Sequence, residues 1–321
     1  MSKRVTIAYH GHCFDGMFSA AFLTSFLREH EREPLEVKYR GLDHQPGGSF
    51  VPPTVLTGQI NAVVDFRYSC SDKLTWWFDH HESGIVGEQE REHYRLDRSG
   101  RKFFDPSYGS CCKLIADIAS ERFGCSLPSL DNLVRWADLI DSARFPTPEM
   151  PVALREPALQ LMTVLEVHGN ERFVAPRIAK LADGATLDEV ASESLVQRLF
   201  APLCEQQAKT REIIRLNARQ QGRVVSFDLV GTGSDRYNKF IPYCLFPDAD
   251  YAIAVTAGKH RAKVSVGWNP WSTEPRKHNI SALCAEFGGG GHATVGAVSL
   301  QANEVDRARK IGAAIAVRLS G

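Results

Sequence analysis

Short strand-like segments alternate with helix-like segments in the N-terminal part of the chain. "RVTIAYH" has the apolar pattern of a buried strand, and the helical periodicity of "GMFSAAFLTSFLREH" follows it. "LEVKYRGL", "INAVVDF" and "LTWWFDHH" are further short segments, rich in β-branched and aromatic residues. Such alternation is typical of an α/β domain with a largely parallel sheet.

The rest of the chain changes from helical to strand-like patterns. Helical periodicity continues to about Phe145, prolines punctuate the next segment, and a charged helical stretch extends from about Thr186 to Gln221. After Gly222, the segments "GRVVSFDLVG", "YAIAVTAG" and "RAKVSVGW" predict strands. We therefore predict an α/β domain at 1–150, a helical linker at 151–221 and a smaller C-terminal α/β domain at 222–321.

Composition limits the classes of partner. The 321 residues include 38 basic and 38 acidic side chains, so the whole protein has no net field that would attract nucleic acid. A local basic groove is compatible with that balance. The chain contains no apolar stretch of 18 residues, and its first strand leads directly into a polar motif. Eight cysteines without a C-x-x-C pair indicate reduced thiols. We expect a cytoplasmic protein that does not bind a membrane.

Several predicted elements end in side chains that bind metals. His10 and Asp15 flank the turn after the first strand, Asp65 ends another strand, and Asp79–His81 ends a third. Asp141 lies near the end of a predicted helix. Ligands collect beyond the carboxyl ends of parallel strands. Mixed carboxylate and imidazole ligands suit Mn²⁺, Fe²⁺ or Zn²⁺ better than Ca²⁺. There are enough of them for two ions, which can polarise a phosphoryl oxygen and activate water.

Five motifs, in order, carry a family resemblance. "HGHCFDGMFSA", "AVVDF", "FDHHES" and "LIDSARF" resemble the four motifs of the DHH phosphoesterase superfamily, and "FGGGGHATVGAV" resembles the glycine-rich motif of the DHH-associated C-terminal domain. Known relatives include the exonuclease RecJ, nano-RNA and pAp phosphatases, cyclic-dinucleotide phosphodiesterases and family II pyrophosphatases. The resemblance implies a metal-dependent hydrolase with two divalent ions, Mn²⁺ first and Mg²⁺, Zn²⁺ or Fe²⁺ as alternatives, and a second lobe that holds the substrate.

The resemblance also implies a role for each acid and imidazole. His10 and Asp15 are expected to be metal ligands, Asp65 to bridge the two ions, His80 to bind one of them and Asp141 to complete the shell of the second ion. His81 is expected near the scissile phosphate, where it donates a hydrogen bond or stabilises charge. Asp79 is either a ligand or the partner that fixes an imidazole tautomer.

The first motif departs from the family pattern. Many relatives carry His-x-x-x-Asp-x-Asp, and here one of the two carboxylates is missing, with Cys13 or Met17 in its place. His12 or Cys13 is a candidate replacement ligand, and a thiolate would favour softer metals such as Zn²⁺. The other alternative is that Cys13 is only a small buried residue.

The C-terminal domain carries the candidate substrate-binding residues. Glycine allows backbone N–H groups to approach an anion closely, and four glycines occur in succession: Gly288, Gly289, Gly290 and Gly291. His292 adds a side-chain donor. Gly267 and Trp268 stand where relatives often have a phosphate-binding arginine. Candidate replacements are Arg261, which we favour, Lys263 and Arg276. Trp268 and Trp271 are candidates to stack a base.

We therefore expect a phosphoesterase that hydrolyses a phosphodiester or phosphomonoester of a small nucleotide or short oligonucleotide. The alternative within enzymology is a phosphoanhydride hydrolase, acting on pyrophosphate or polyphosphate. The alternative from another class is a catalytically decayed regulatory protein that binds nucleotides. The sequence leaves open whether the protein is a monomer or a homodimer.

Overall fold

The computed structural model describes residues 2–43, 50–234 and 236–321. The chain forms two compact units, the first containing residues 1–144 and 155–200 and the second containing residues 145–154 and 201–321. These units divide the chain differently from the predicted boundaries at 150 and 222. Most of the predicted linker packs with the first unit, and its last part packs with the second.

The first unit is built on a parallel sheet, as the alternating sequence pattern predicts. Among the described residues, the strands lie in the order β2-β1-β3-β4-β5, and every neighbouring pair is parallel. Their bounds are β1 Lys3–His10, β2 Leu35–Leu42, β3 Ile60–Val64, β4 Trp76–Asp79 and β5 Lys102–Phe104. All residues of β3 and β4 are buried, which explains their continuous apolar runs.

Helices cover this sheet and continue into the second unit. Their bounds in chain order are α1 Phe14–His30, α2 Glu88–Leu96, α3 Cys111–Phe123, α4 Asp131–Asp141, α5 Met150–Ala153, α6 Pro157–His168, α7 Glu171–Ala182, α8 Leu187–Ala191, α9 Ser194–Asn217, α10 Ile241–Leu245, α11 Ile280–Ala285 and α12 Val305–Ser320. Helix α1 is buried over most of its length because it packs against α3, α4 and α7. Its first turn is therefore held firmly beside the end of β1.

The second unit is a mixed sheet with one main apolar cluster. The described strands lie in the order β10-β11-β9-β8-β7-β6, and their neighbours are antiparallel except for the parallel pair of β7 and β8. The bounds are β6 Arg219–Gln221, β7 Val224–Asp228, β8 Tyr251–Ala257, β9 Arg261–Trp268, β10 Gly290–His292 and β11 Val295–Gln301. Ile311 and Ile315 of α12 pack on Ile253, Val264 and other buried residues of this sheet.

In the described part of the chain, the helices are too short or too polar to cross a lipid bilayer.

Candidate metal centre and active site

The parallel sheet places polar side chains from three neighbouring strands at one edge. β1 ends at His10, Asp65 follows β3 directly, and β4 ends at Asp79. These strands are adjacent in the order β1-β3-β4, so their carboxyl ends meet at the same edge. His80 and His81 continue from β4, and α4 ends at Asp141.

Three overlapping groups of ligand atoms lie at this edge. Within each group, the nitrogen, sulfur or oxygen atoms are no more than 4.8 Å apart. The groups are His10, Cys13 and Asp65; Asp65, His80 and His81; and Asp15, His80 and Asp141. Asp65 belongs to the first two groups and His80 to the last two. A carboxylate shared in this way is what a pair of neighbouring cations requires.

The distances within the groups match the spacing of ligands around one ion. His80 Nε2 lies 3.3 Å from an Asp141 oxygen, 3.5 Å from an Asp65 oxygen and 3.7 Å from an Asp15 oxygen. His10 Nδ1 lies 3.4 Å from the other Asp65 oxygen. Ligands about 2.1 Å from a tetrahedral or octahedral ion are roughly 3.0–3.5 Å apart. The donor set therefore fits divalent cations.

Asp65 is the most constrained of these residues. Its backbone has φ 55°, a left-handed conformation that asparagine and aspartate tolerate better than other side chains. The residue is 1% exposed, and neither carboxylate oxygen has a hydrogen-bond partner. Burial alone would raise the pKa of Asp65, but the imidazoles of His10 and His80 outweigh it and hold this pKa well below its usual range. A buried, ionised carboxylate is stabilised by nearby positive charge, either from protonated imidazoles or from a bound cation.

His80 has one ring nitrogen fixed and the other directed at the carboxylates. Its Nδ1 lies 3.0 Å from the Tyr108 carbonyl oxygen, which can only accept, so Nδ1 carries the proton. Nε2 has no hydrogen-bond partner and is available to a metal ion. Burial lowers the pKa of His80, but the carboxylates of Asp65, Asp15 and Asp141 raise it to about 10. The same negative charge that raises the pKa of His80 would also stabilise a divalent cation at this position.

Asp15 is held by the N-terminus of another helix. Its two oxygens accept hydrogen bonds from the backbone N–H groups of Cys111, at 2.6 Å, and Cys112, at 3.0 Å. These groups belong to the first turn of α3, where N–H groups have no partner inside the helix. Burial and the nearby carboxylates of Asp65 and Asp141 raise the pKa of Asp15 well above its usual range.

Asp79 contacts His81 and is not part of the three ligand groups formed by the described residues. One Asp79 oxygen lies 2.7 Å from His81 Nδ1 and also accepts the backbone N–H groups of His80, at 2.9 Å, and His81, at 3.2 Å. Of the two alternatives for Asp79, this geometry favours the one in which it fixes an imidazole tautomer. Burial lowers the pKa of His81, but Asp79 and Asp65 raise it to about 9.

The structure separates the candidates for the missing ligand of the first motif. Cys13 lies with His10 and Asp65 in one ligand group. His12 is exposed, has φ 54° and lies against Gly169, and it joins none of the groups found among the described residues. Met17 is buried in the core of the first unit. Only Cys13 is therefore placed where the carboxylate is missing.

Two residues of the glycine run, Gly290 and Gly291, lie in a strand, whereas Gly288 lies in the turn before it. Gly290–His292 forms β10 and pairs with β11. Gly288 has φ 81°, in the left-handed region. A Cβ on Gly289 would lie 2.2 Å from the Ala297 carbonyl oxygen, and one on Gly291 would lie 2.3 Å from that of Val295. The fold itself therefore requires glycine at three of the four positions.

Arg261 and Trp268 lie at opposite ends of β9. Arg261 pairs with Gln301, whereas Gly267, next to Trp268, pairs with Val295 beside the glycine strand. The six residue-to-residue steps from Arg261 to Gly267 span about 20 Å of strand. The structure therefore places Arg261 about 20 Å from the glycine run, because strand register decides which residues share an end. Its role in substrate binding stays a prediction.

Other residues lie nearer the glycine strand. The Arg276 guanidinium donates a hydrogen bond of 2.7 Å to the carbonyl oxygen of Ala293, the neighbour of the exposed His292. Trp268 is half-buried and packs edge-on against Tyr251, with ring centroids 5.2 Å apart. The Trp271 indole N–H donates to the Phe145 carbonyl oxygen at 2.7 Å. Of the three candidate replacements for the phosphate-binding arginine, Arg276 is one that lies close to His292.

Comparison with known proteins identifies the fold. No protein-family model and no curated protein matches the sequence. Among solved structures, the pGpG-specific phosphodiesterase PggH from Vibrio cholerae is 19% identical with a TM-score of 0.68, over 99% of both chains. The DHH domain of a member of the s1p family of ribosomal proteins is 12% identical, with a TM-score of 0.55 over 99% of this chain and 88% of that one. The chain has the DHH fold.

A third DHH structure contains a metal ion. RecJ from Thermus thermophilus, in complex with Mn²⁺, is 14% identical with a TM-score of 0.54, and the match covers 99% of this chain and 52% of RecJ. The α/β class and the resemblance to DHH proteins that the sequence motifs carry are both confirmed at the level of the fold.

Proposed function

We propose that this DHH-fold protein is a metal-dependent phosphoesterase that hydrolyses short oligonucleotides or small nucleotides. The observation that supports this most directly is the Asp65 carboxylate, 1% exposed and without a hydrogen-bond partner on either oxygen. In this proposal two divalent cations are held by His10, Asp15, Asp65, His80 and Asp141. Mn²⁺ is the first choice, because it accepts mixed nitrogen and oxygen ligands.

In this proposal, some residues of the chain bind the metal ions and others take part in the chemical step. Bound ions would supply electrostatic stabilisation and an activated water. Asp65 and His80 keep their ligand atoms free of other hydrogen bonds. His81, with Nδ1 bonded to Asp79, would direct Nε2 towards the phosphate and stabilise the negative charge that develops there. This role needs the protonated imidazole that Asp79 favours.

The substrate class is proposed from charge and from the similar structures. PggH, which has the same fold over nearly its full length, is named a pGpG-specific phosphodiesterase. This chain has no net charge, whereas proteins that follow long nucleic acids neutralise many phosphates. One anion site near His292 and a few basic residues would bind about two to five nucleotides.

Hydrolysis of a trinucleotide should be faster than hydrolysis of a 30-nucleotide strand, and its KM should depend only weakly on salt. The test measures kcat/KM for both substrates at low and high salt with added Mn²⁺, in RNA and DNA form. A linear dinucleotide, pAp, a cyclic dinucleotide and pyrophosphate complete the panel. Asp65→Asn serves as the control, because an activity that survives this change belongs to a contaminant.

Three results would contradict this proposal. Faster cleavage of the long strand, with a steep salt dependence of KM, would indicate a processive exonuclease. Rapid pyrophosphate hydrolysis without cleavage of any nucleotide would indicate the phosphoanhydride reaction instead. Absence of all hydrolysis, with fewer than two ions bound, would support the regulatory alternative.

His292→Ala is expected to raise KM about tenfold or more and to leave kcat nearly unchanged. The reason is that a phosphate-binding donor outside the reacting centre stabilises the ground state and the transition state equally. One hydrogen bond to a charged group contributes about 1.5–3 kcal/mol. Steady-state kinetics on the best short substrate would measure both constants.

Two variants separate this effect from damage to the fold. A Cβ on Gly290 meets no atom within 4 Å, so Gly290→Ala should fold normally and raise KM if the strand backbone approaches a phosphate. Arg261→Ala, at the far end of β9, should change neither constant. A fall in kcat for His292→Ala with unchanged KM would mean that His292 acts at the reacting centre.

A further inference from the structure

We propose that the thiolate of Cys13 is a ligand of one of the two ions, so that this ion has nitrogen, sulfur and oxygen ligands. The inference rests on the metal centre of the proposed function and deepens it. It assigns a ligand to the position at which the first motif lacks a carboxylate. It also predicts that the two ions of the centre differ in chemical preference.

The position of Cys13 is the first support. Its Sγ and one atom each from His10 and Asp65 lie within 4.8 Å of one another. The Asp65 oxygens are buried and lack hydrogen-bond partners, so this group contains a ligand that a cation would stabilise independently of the cysteine. A cation held by Asp65 and His10 would therefore have the thiol as an additional donor within reach.

The local role of Cys13 is the second support. Cys13 is the N-cap residue of α1, and its side chain makes no capping hydrogen bond. The N-cap residues of α3, α7, α8 and α11 are Ser110, Asn170, Thr186 and Asn279, and all of these cap their helices through the side chain. Serine, threonine, aspartate and asparagine are preferred there because they satisfy a backbone N–H. Cysteine caps poorly, so helix stability does not explain Cys13.

The surroundings of Cys13 argue against a purely structural role. A structural cysteine is usually enclosed by apolar groups, as a small hydrophobic residue. Cys13 instead lies in one ligand group with the His10 imidazole and the buried Asp65 carboxylate. It is also only half-buried. An imidazole, a carboxylate and a thiol together form a donor set that a divalent cation can use.

A thiolate would make the two ions unequal. Soft sulfur ligands favour Zn²⁺, and they also bind Co²⁺ and Fe²⁺ more tightly than Mn²⁺ or Mg²⁺. The other group, formed by Asp15, His80 and Asp141, offers only oxygen and nitrogen and would accept Mn²⁺. The protein would therefore prefer a thiophilic ion at the Cys13 group and Mn²⁺ at the other.

Cobalt spectroscopy tests the ligand directly and without substrate. Metal-free protein titrated with Co²⁺ should develop an intense near-ultraviolet sulfur-to-cobalt charge-transfer band, together with weak visible bands. Cys13→Ser should lose the charge-transfer band and keep the visible bands from the remaining site.

Cys125→Ser is the matched control. Cys125 follows the end of α3, about 20 Å along that helix from the Asp15 contact, and its loss should leave the charge-transfer band intact.

Cys13→Asp restores the carboxylate that many relatives carry and tests the metal preference. The preference for Zn²⁺ over Mn²⁺, measured by competition, should shift towards Mn²⁺ by about tenfold or more. Thermal unfolding of each metal-free variant shows whether it is folded. Aspartate can also cap α1, so a higher Tm for this variant is expected.

Different failures overturn different conclusions. Visible cobalt bands without a charge-transfer band in the wild type, or a charge-transfer band that survives Cys13→Ser, would overturn the assignment of Cys13. Phosphoesterase activity in the same preparation would then leave the proposed function intact. Conversely, a charge-transfer band that depends on Cys13, in a protein that hydrolyses no nucleotide, would support the ligand and overturn the proposed function.

Discussion

Replacement of Asp65 by asparagine is expected to lower kcat at least about a thousandfold, which corresponds to about 4 kcal/mol of transition-state stabilisation. Asp65 belongs to two of the ligand groups, and both of its oxygens lack other partners. The neutral amide can offer only one weak ligand atom. The number of bound ions should fall from two to one or none, as measured by elemental analysis after gel filtration.

Asparagine is a better test than alanine because of the backbone. Asp65 has φ 55°, and asparagine tolerates that conformation while alanine is strained by it. The matched control is Asp72→Asn, which makes the same charge change at an exposed residue just before β4, away from the end that carries the centre. Two ions and wild-type turnover in Asp65→Asn would contradict the dinuclear assignment.

His81→Ala is expected to lower kcat by about 10²- to 10⁴-fold, the range typical of a lost proton donor or acceptor at the reacting centre. KM should change little, because the contact strengthens only as charge develops on the phosphate. Asp79→Asn should lower kcat less. Its carbonyl oxygen can still accept the His81 N–H, but the charge that favours the protonated imidazole is lost.

Small imidazole added to the assay offers a further check on His81. It should partly restore turnover in His81→Ala and leave Asp79→Asn unchanged, because only the first variant has space for it. His260→Ala, at an exposed turn of the second unit, is the control for loss of a histidine. A large rise in KM with unchanged kcat in His81→Ala would mean that this residue only binds substrate.

The sequence was most informative about the first unit. β1, β3 and β4 are short and apolar and are followed by acids or imidazoles, so both the parallel sheet and the polar edge could be predicted. The left-handed backbone at Asp65 could not be predicted, because aspartate adopts it only where tertiary contacts impose it. The role of Asp79 depended on how the chain turns after β4, which two adjacent histidines do not specify.

The sequence was less informative about the second unit. β10 begins inside the glycine run, and glycine has a low strand propensity, so the sequence did not predict this strand. Arg261 and Trp268 were both predicted to bind substrate, but strand register separates the two by the length of β9. Register is set by pairing with β8 and β11, and single-strand patterns contain no information about it.

The hydrogen bonds from α3 give Asp15 a structural role in addition to its proposed role as a metal ligand. Its carboxylate satisfies N–H groups of Cys111 and Cys112 in a fully buried position, and in the proposed centre it is also a ligand. Asp141 lies at the end of α4, and its side chain is 30% exposed. A library selected only for folded protein would therefore retain Asp15 even without selection for catalysis.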